Sequence, residues 1–472
     1  MKKKILLINA NFVHKHTLIT RFMVKTMVNP SLVLPYVAAA IPPDEYDIKT
    51  INDTYEDINY NEKCDIVGIS TATPSAPRAY QIADEFRKRG KTVILGGVHP
   101  TLLPNDAVSH ADSVVIGEAE TTFPRLLKDY EKNQLKKFYY SKEKICPENI
   151  PLPKREVEEI YPLIAGVQTS RGCPYNCKFC TLAQVNGASY RAIPIKKVIE
   201  DINRIPRKFL IMIHDSSLTI STEYVKQLFK EMISLKKKFM CYGSIPVLIE
   251  NEEIIELSKK AGCIYWALGF ETITQKSLNE VNKNYKVEQY GRIVKKIKQN
   301  GMGVFGSFVF GFDHDTPDVF ETTLQKVQSW GIDAAEFNIL IPFPGTEIYK
   351  TFEEQGRILH KDWSKYDLQH VVFQPKNMTP EELFNGVRNI SKKFYSIDCV
   401  LKRELSAGVF NFSKFLYTIA LNSGMRLFHQ NGYGFRDKAS LTYLFDHAVF
   451  RNVKEKIHFG KRSCLTKDVK NV

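Results

Sequence analysis

Three cysteines fall within eight residues: Cys173, Cys177 and Cys180, in the stretch Arg171-Gly-Cys-Pro-Tyr-Asn-Cys-Lys-Phe-Cys180. The C-x3-C-x2-C spacing is too tight for three separate structural roles and suits a loop folded around one metal cluster. A four-iron cluster normally takes four thiolates. With no fourth cysteine nearby, one iron is left free to hold something that is not protein, and that open corner is where chemistry would occur. Zinc would call for two ligand pairs or a trailing histidine pair, and neither is visible near this loop. Further polar and glycine-rich groups are candidates for ligand contact. They are Ser70-Thr71, Gly96-Gly97-Val-His99-Pro100 and Gly117-Glu118 in the first part of the chain, then His214-Asp215-Ser216-Ser217, Gly243-Ser244 and Leu268-Gly-Phe-Glu271.

The elements that must position these residues are legible from apolar periodicity. Strands are predicted near 4–9, 47–51, 65–70, 92–96 and 113–117, with amphipathic helices between them. The helix near 74–89 carries Ala79, Ile82, Ala83 and Phe86 on one face and ends at Gly90. This alternation predicts a doubly wound parallel sheet over residues 1–130, which binds ligands at the carboxyl ends of its strands. Ser70, Thr71, Gly96, Gly97, His99 and Glu118 fall at those ends, and glycines there let backbone approach a ligand closely.

Residues 131–162 are polar, charged and punctuated by prolines, and read as a linker. From 163 to about 345 the alternation resumes with a longer stride. Strands are predicted at 164–169, 209–214, 239–243, 264–270, 304–311 and 336–341, six βα units of a partial parallel barrel with function at its carboxyl-end loops. The cysteine loop directly follows the first of these strands.

Composition narrows the classes. Hydrophobic content of 43% is ordinary for a globular chain, and 472 residues point to two or three domains. The six cysteines outside the loop show no framework spacing, which argues against a disulfide scaffold and fits a reducing cytoplasm. The apolar start breaks at Asn9 without a small-residue cleavage site, so it reads as a first strand rather than a leader. There is no apolar run of about 18 residues that would span a membrane. Residues 401–472 carry 13 Lys or Arg against 5 Asp or Glu, a surplus of +8. Residues 386–472 as a whole read as a basic, mainly helical region, with peripheral membrane contact as one role and a solvated face as the other. The case for nucleic acid is not strong.

The cysteine spacing, with Phe179 just before the last cysteine, resembles the signature of the radical S-adenosylmethionine (SAM) superfamily. Gly96-Gly97-Val-His99-Pro100 followed by Val115-Ile-Gly117-Glu118 is similar to the cobalamin-binding domain that precedes many such barrels, a flavodoxin-like fold. Asp362-Trp363-Ser-Lys-Tyr366-Asp367 and Val371-Val-Phe-Gln-Pro375 resemble the segment after the barrel in B12-binding radical SAM proteins, a group that includes hopanoid C-methylases.

The resemblance implies a [4Fe-4S] cluster on Cys173, Cys177 and Cys180, and SAM contacts from Phe179, Asp215, Ser244 and Glu271. It implies a cobalamin site at Ser70, Thr71, Gly96, Gly97, His99 and Glu118. One element departs from the family. The loop Asn11-Phe-Val-His-Lys-His16 lacks the Asp-x-His-x-x-Gly pattern that supplies a lower axial histidine, so His14 and His16 read as ordinary loop residues.

The implied activity is cleavage of SAM to a 5'-deoxyadenosyl radical for cobalamin-dependent methylation of an unactivated carbon. The substrate would be a small molecule or lipid, and a flavodoxin- or ferredoxin-type donor would supply electrons. Radical rearrangement or C–C coupling is the enzymatic alternative, and an Fe–S nucleic-acid- or membrane-binding protein the non-enzymatic one. A tRNA methylthiotransferase would need three further cluster cysteines in the N-terminal part, where only Cys64 occurs before residue 146.

Overall fold

The computed structural model of the chain describes residues 2–11 and 31–396, apart from 55, 142, 158–163, 207–209 and 216–217, together with 398–400 and 403. His14, His16, Ser216, Ser217 and almost all of the basic C-terminal region lie outside the described residues.

Six parallel strands form the first sheet: β1 (Lys3–Asn9), β2 (Tyr46–Asn52), β3 (Ile66–Ser70), β4 (Thr92–Gly96), β5 (Ser113–Ile116) and β6 (Phe138–Tyr140). Their spatial order is β2-β1-β3-β4-β5-β6, a flavodoxin-like arrangement with its switch point between β1 and β3. Strands buried on both faces read as continuous apolar runs, and Ile5, Leu6, Leu7 and Ile8 are all core residues. The helix Ala76–Lys88 buries Ala79, Ile82, Ala83 and Phe86 on one face of the sheet. The helix Ala119–Glu131 buries Phe123, Leu126 and Leu127 on the other. The sixth strand corrects the sequence reading: it lies within the stretch taken as linker. At three residues it is too short to show a period.

The second sheet follows. β7 (Ile164–Val167) leads into a short antiparallel ribbon of β8 (Ser170–Arg171) and β9 (Arg191–Ala192), and the cysteine loop hangs between the two ribbon strands. β10 (Leu210–Ile213), β11 (Phe239–Gly243), β12 (Cys263–Glu271), β13 (Gly303–Phe310) and β14 (Ala334–Ile339) complete a parallel sheet of order β14-β13-β12-β11-β10-β7. β14 and β7 are its edges, so the barrel is open.

Register sorts the inward face into layers, because side chains two apart share a face. Gly166, Met212, Met240, Tyr265 and Gly303 are lateral neighbours; above them come Tyr242, Ala267, Phe305 and Ala334, then Gly269, Ser307 and Glu336. Tyr242 sits on a central strand yet is 38% exposed, which marks this concave face as open. The outward face is closed by helices over Trp266, Val304, Phe308 and Phe337. There Phe270 stacks on Phe308 at 5.2 Å and meets Tyr290 edge-on at 4.9 Å.

Beyond the barrel, the turn Trp363–Lys365 folds back onto the N-terminal sheet's loops, with Trp363 edge-on to His99 at 5.5 Å. The helix Pro380–Phe394 opens with a reciprocal capping box between Thr379 and Glu382. Among the described residues no helix is long and apolar enough to cross a membrane.

The floor of the barrel depends on one absent methyl group. A Cβ at Gly303 would fall 2.2 Å from the Tyr265 ring. Gly303→Ala should therefore destabilise the protein by about 1–3 kcal/mol, the usual cost of overpacking. Thermal unfolding would show this as a lowered midpoint, and adding Tyr265→Leu should recover part of the loss.

Candidate active site

The cysteine loop has little regular structure of its own, so its surroundings must shape it. At its first stem, a Cβ on Gly172 (φ +76°) would lie 2.1 Å from the Ser189 carbonyl oxygen, so two backbones touch there. Cys173 N donates to the Gly187 carbonyl (3.2 Å) and Cys180 N to that of Cys177 (3.0 Å). Lys178 N reaches the Val281 carbonyl (3.2 Å), Ile348 N donates back to the Lys178 carbonyl (3.1 Å), and Lys178 pairs with Glu347 at 3.0 Å. The loop is thus clamped by segments that follow β12 and β14.

Asp215 secures the approach to the loop. Its carboxylate is 4% exposed and accepts from Thr169 N (2.9 Å), Ser170 N (3.1 Å), Ser170 Oγ (2.9 Å) and Thr169 Oγ1. Burial pushes this acid up and the four donors pull it down, with burial the stronger. All its acceptor positions serve the chain. This departs from the sequence reading of Asp215 as a SAM contact: a short carboxylate at a strand end meets the neighbouring loop's N–H groups first. Ser244 is likewise 2% exposed, with its N–H on Thr219 Oγ1 (2.9 Å) and its hydroxyl on Tyr285 (3.3 Å).

Glu271 is brought within electrostatic reach of the thiols, and Phe179 is part of the loop itself. Glu271 ends β12 at a register shift, in a left-handed conformation (φ +60°) that costs a non-glycine residue energy. Its carboxylate meets Lys283 Nζ at 2.5 Å. Burial works against the Lys283 ammonium, but Glu271 more than offsets it and holds its pKa above the ordinary lysine value. Phe179 lies edge-on to Phe312 at 6.3 Å.

The three thiols are free, half-buried and within one another's electrostatic reach. Burial pushes all three up, Cys177 to about 11, and Lys283 is the cation that pulls each of them back. A bound metal reverses this, since a coordinating thiol is deprotonated outright. Among the described residues no three His, Cys, Asp or Glu side chains converge on a single ion. Cys173, Cys177 and Cys180 share one loop with free thiols, and each could supply the single thiolate that an iron of a four-iron cluster takes. Lys283 was missed in the sequence because it sits in a polar stretch, Asn279 to Tyr285, that looks like a solvent face.

A cavity of about 500 Å³ opens between the two sheets. Ser70, Thr71, Gly96, Gly97, Gly117 and Glu118 line it from the ends of β3, β4 and β5; Gln168, Arg171 and His214 close it from the barrel. This is the size and interface position typical of a cofactor site. Gly97 (φ +102°) is required here: its Cβ would fall 2.7 Å from the Thr71 carbonyl oxygen. Burial lowers His214 to about 4, so a neutral imidazole faces this space.

His99 does not join the cavity wall. Its ring is fully buried against Tyr80 and Trp363 with Nε2 on Asp106 (3.2 Å), and only its N–H serves the neighbouring loop, on the Thr71 carbonyl. Arg171, two residues before Cys173, is a basic side chain that a loop sequence would ordinarily leave in solvent. It is buried instead in ion pairs with Glu118 and Glu120.

Comparison with known proteins identifies families for the two sheets. Residues 167–327 match the radical SAM superfamily and residues 29–127 the B12 binding domain. The chain is 32% identical over 374 residues to the bacteriochlorophyllide d C-8(2)-methyltransferase of Chlorobaculum tepidum, covering 73% of this chain and 81% of that one. Its fold is similar to that of the cobalamin-dependent SAM radical enzyme OxsB solved with aqua-cobalamin (TM-score 0.64, 14% identity, 98% of this chain and 76% of that one). It is also similar to the radical SAM methyltransferase TsrM of Kitasatospora setae (TM-score 0.62, 16% identity, 75% and 76%).

The turn that carries Phe312 should make stability depend on pH. Asp315 accepts from Gly311 N (3.0 Å) and Phe312 N (3.1 Å), and burial raises it from 3.8 to about 7. Between those values the native state keeps a proton that the unfolded state has lost, so stability falls as pH rises through the window. At about 1.4 kcal/mol per pKa unit the swing is a few kcal/mol. Thermal midpoints measured from pH 5 to pH 8 should fall further for the wild type than for Asp315→Asn; parallel curves would refute the assignment.

Proposed function

The chain belongs to the radical SAM superfamily, among members with a B12 binding domain, and from that premise we propose that it methylates an unactivated carbon of a small organic molecule or lipid. When bound, the [4Fe-4S] cluster and SAM supply a carbon radical able to take a hydrogen atom, and cobalamin supplies a transferable methyl group. The observation that carries this reading is the cavity at the glycine-rich ends of β3 to β5, which shares Arg171 with the stem of the cysteine loop.

In this reading Cys173, Cys177 and Cys180 hold the cluster. Glu271 and Lys283, a carboxylate and an ammonium in contact beside the thiols, orient the amino and carboxylate ends of SAM. Phe179 and Phe312 exclude water from the same pocket, which protects a reactive intermediate from side reactions. Ser70, Thr71, Gly96 and Gly97 present close backbone to the corrin, and Glu118 fixes the far wall. Asp215 acts through Thr169 and Ser170 and touches no ligand. A flavodoxin- or ferredoxin-type protein delivers the electron.

Anaerobic reconstitution with iron and sulfide, followed by SAM and dithionite, should release 5'-deoxyadenosine. Alanine at any one of the three cysteines should cut that release at least 100-fold and lower the iron content. No release by the wild type would remove the radical assignment. Transfer of label from methyl-labelled SAM to protein-bound corrinoid tests the second half: release without transfer would leave radical chemistry and remove methylation.

Gly97→Ala separates the two sites. It should weaken hydroxocobalamin binding at least tenfold, read from the visible spectrum, while iron content stays at the wild-type level.

A further inference from the structure

Arg171 and Arg191 face each other across the two-residue ribbon of β8 and β9, one on each stem of the cysteine loop. Two guanidinium groups so placed repel. They are buried together only because carboxylates from the other sheet's side of the molecule lie between them. Glu118, 7% exposed, takes Arg191 at 2.7 and 3.3 Å and Arg171 at 3.5 Å, and accepts from Ile145 N at 2.8 Å. Glu120 takes the other arm of Arg171 at 2.6 Å. Arg191 goes on to the carbonyls of Ile145 (2.7 Å) and Asn186 (2.8 Å), the latter inside the loop. Arg171 lies over the Tyr36 ring at 5.1 Å.

Glu118, Glu120, Tyr36, Arg171 and Asn186 are also walls of the interdomain cavity. One carboxylate therefore ties down both stems of the cluster-bearing loop and forms part of the surface that a cavity ligand meets. A ligand that confines these side chains fixes the stems, and a loop drawn tight around its cluster fixes the wall. Two sites that share a buried element in this way are coupled, and binding coupling is reciprocal.

We propose that Glu118 is a positioning residue that couples the cavity to the cysteine loop, so that a corrinoid in the cavity and a cluster in the loop each favour the other. This rests on the reading of the cavity as the corrinoid site. A buried ion-pair weld between domains would look the same in a stability measurement, because breaking one partner leaves an uncompensated charge. The coupling itself separates the two roles.

The test is hydroxocobalamin affinity of the full chain, measured with and without reconstituted cluster. Wild type should bind about tenfold more tightly when the cluster is present, within the range of measured couplings. Glu118→Gln should bring that ratio below about twofold. Arg171→Lys, which keeps the charge but loses the planar fork that spans both carboxylates, should do the same and serves if the first variant does not fold. Amide exchange of residues 172–190 in cluster-free protein should slow when hydroxocobalamin is added, in wild type but not in Glu118→Gln. Equal wild-type affinities, or a full ratio retained in both variants, would overturn the coupling alone. No wild-type binding of hydroxocobalamin would remove the cavity reading, and the coupling with it.

Discussion

A loop that carries three thiols and a single short helix (Leu182–Asn186) between two-residue strands has too few internal hydrogen bonds to hold a shape. Its geometry is imposed by two buried carboxylates. Asp215, from the end of β10, gathers the backbone and hydroxyls of Thr169 and Ser170 just before the first stem. Glu118, from the end of β5, gathers the arginines on both stems. A buried carboxylate is stable only when its acceptor positions are filled, so each of them demands the donors that surround it. That demand makes the loop's stems a fixed platform, and everything chemically interesting stands on it.

The two sheets arise from a pattern that the sequence displays openly. Strands buried on both faces need uninterrupted apolar runs, and helices that cover them need one apolar face. All eleven strands read from periodicity are present, with ends shifted by one or two residues at most sites. β6, β8 and β9 were missed, and their lengths explain it: two or three residues carry no period. They matter out of proportion to their size, since β8 and β9 make the ribbon from which the cysteine loop hangs.

The candidate site was legible where chemistry needs a residue type at fixed spacing, and illegible where it needs a partner from far along the chain. The cysteines, the glycines at 96 and 97 and Glu271 stand out locally. Lys283 and Arg191 do not, because each is one basic residue without a local motif and acquires meaning only through a carboxylate brought to it by the fold: Glu271 for the first, Glu118 for the second. Asp215 and His99 sit at strand or helix ends where a ligand contact is plausible, and the fold commits much of their hydrogen bonding to neighbours: Thr169 and Ser170 for Asp215, and Asp106 for His99 Nε2, while His99 Nδ1 is buried without a partner.

Charge around the thiols follows from the same arrangement. A half-buried pocket favours neutral thiols, and Lys283 is the cation that lowers each of the three. Glu271 holds that cation charged but also draws part of its field away from the sulfurs. Lys283 and Glu271 form one ion pair, so the cation that acts on the sulfurs is shared with a carboxylate. The external clamp by Val281, Ile348 and the ribbon is made of backbone hydrogen bonds and strand pairing, so it holds the loop whatever the charge on its thiols.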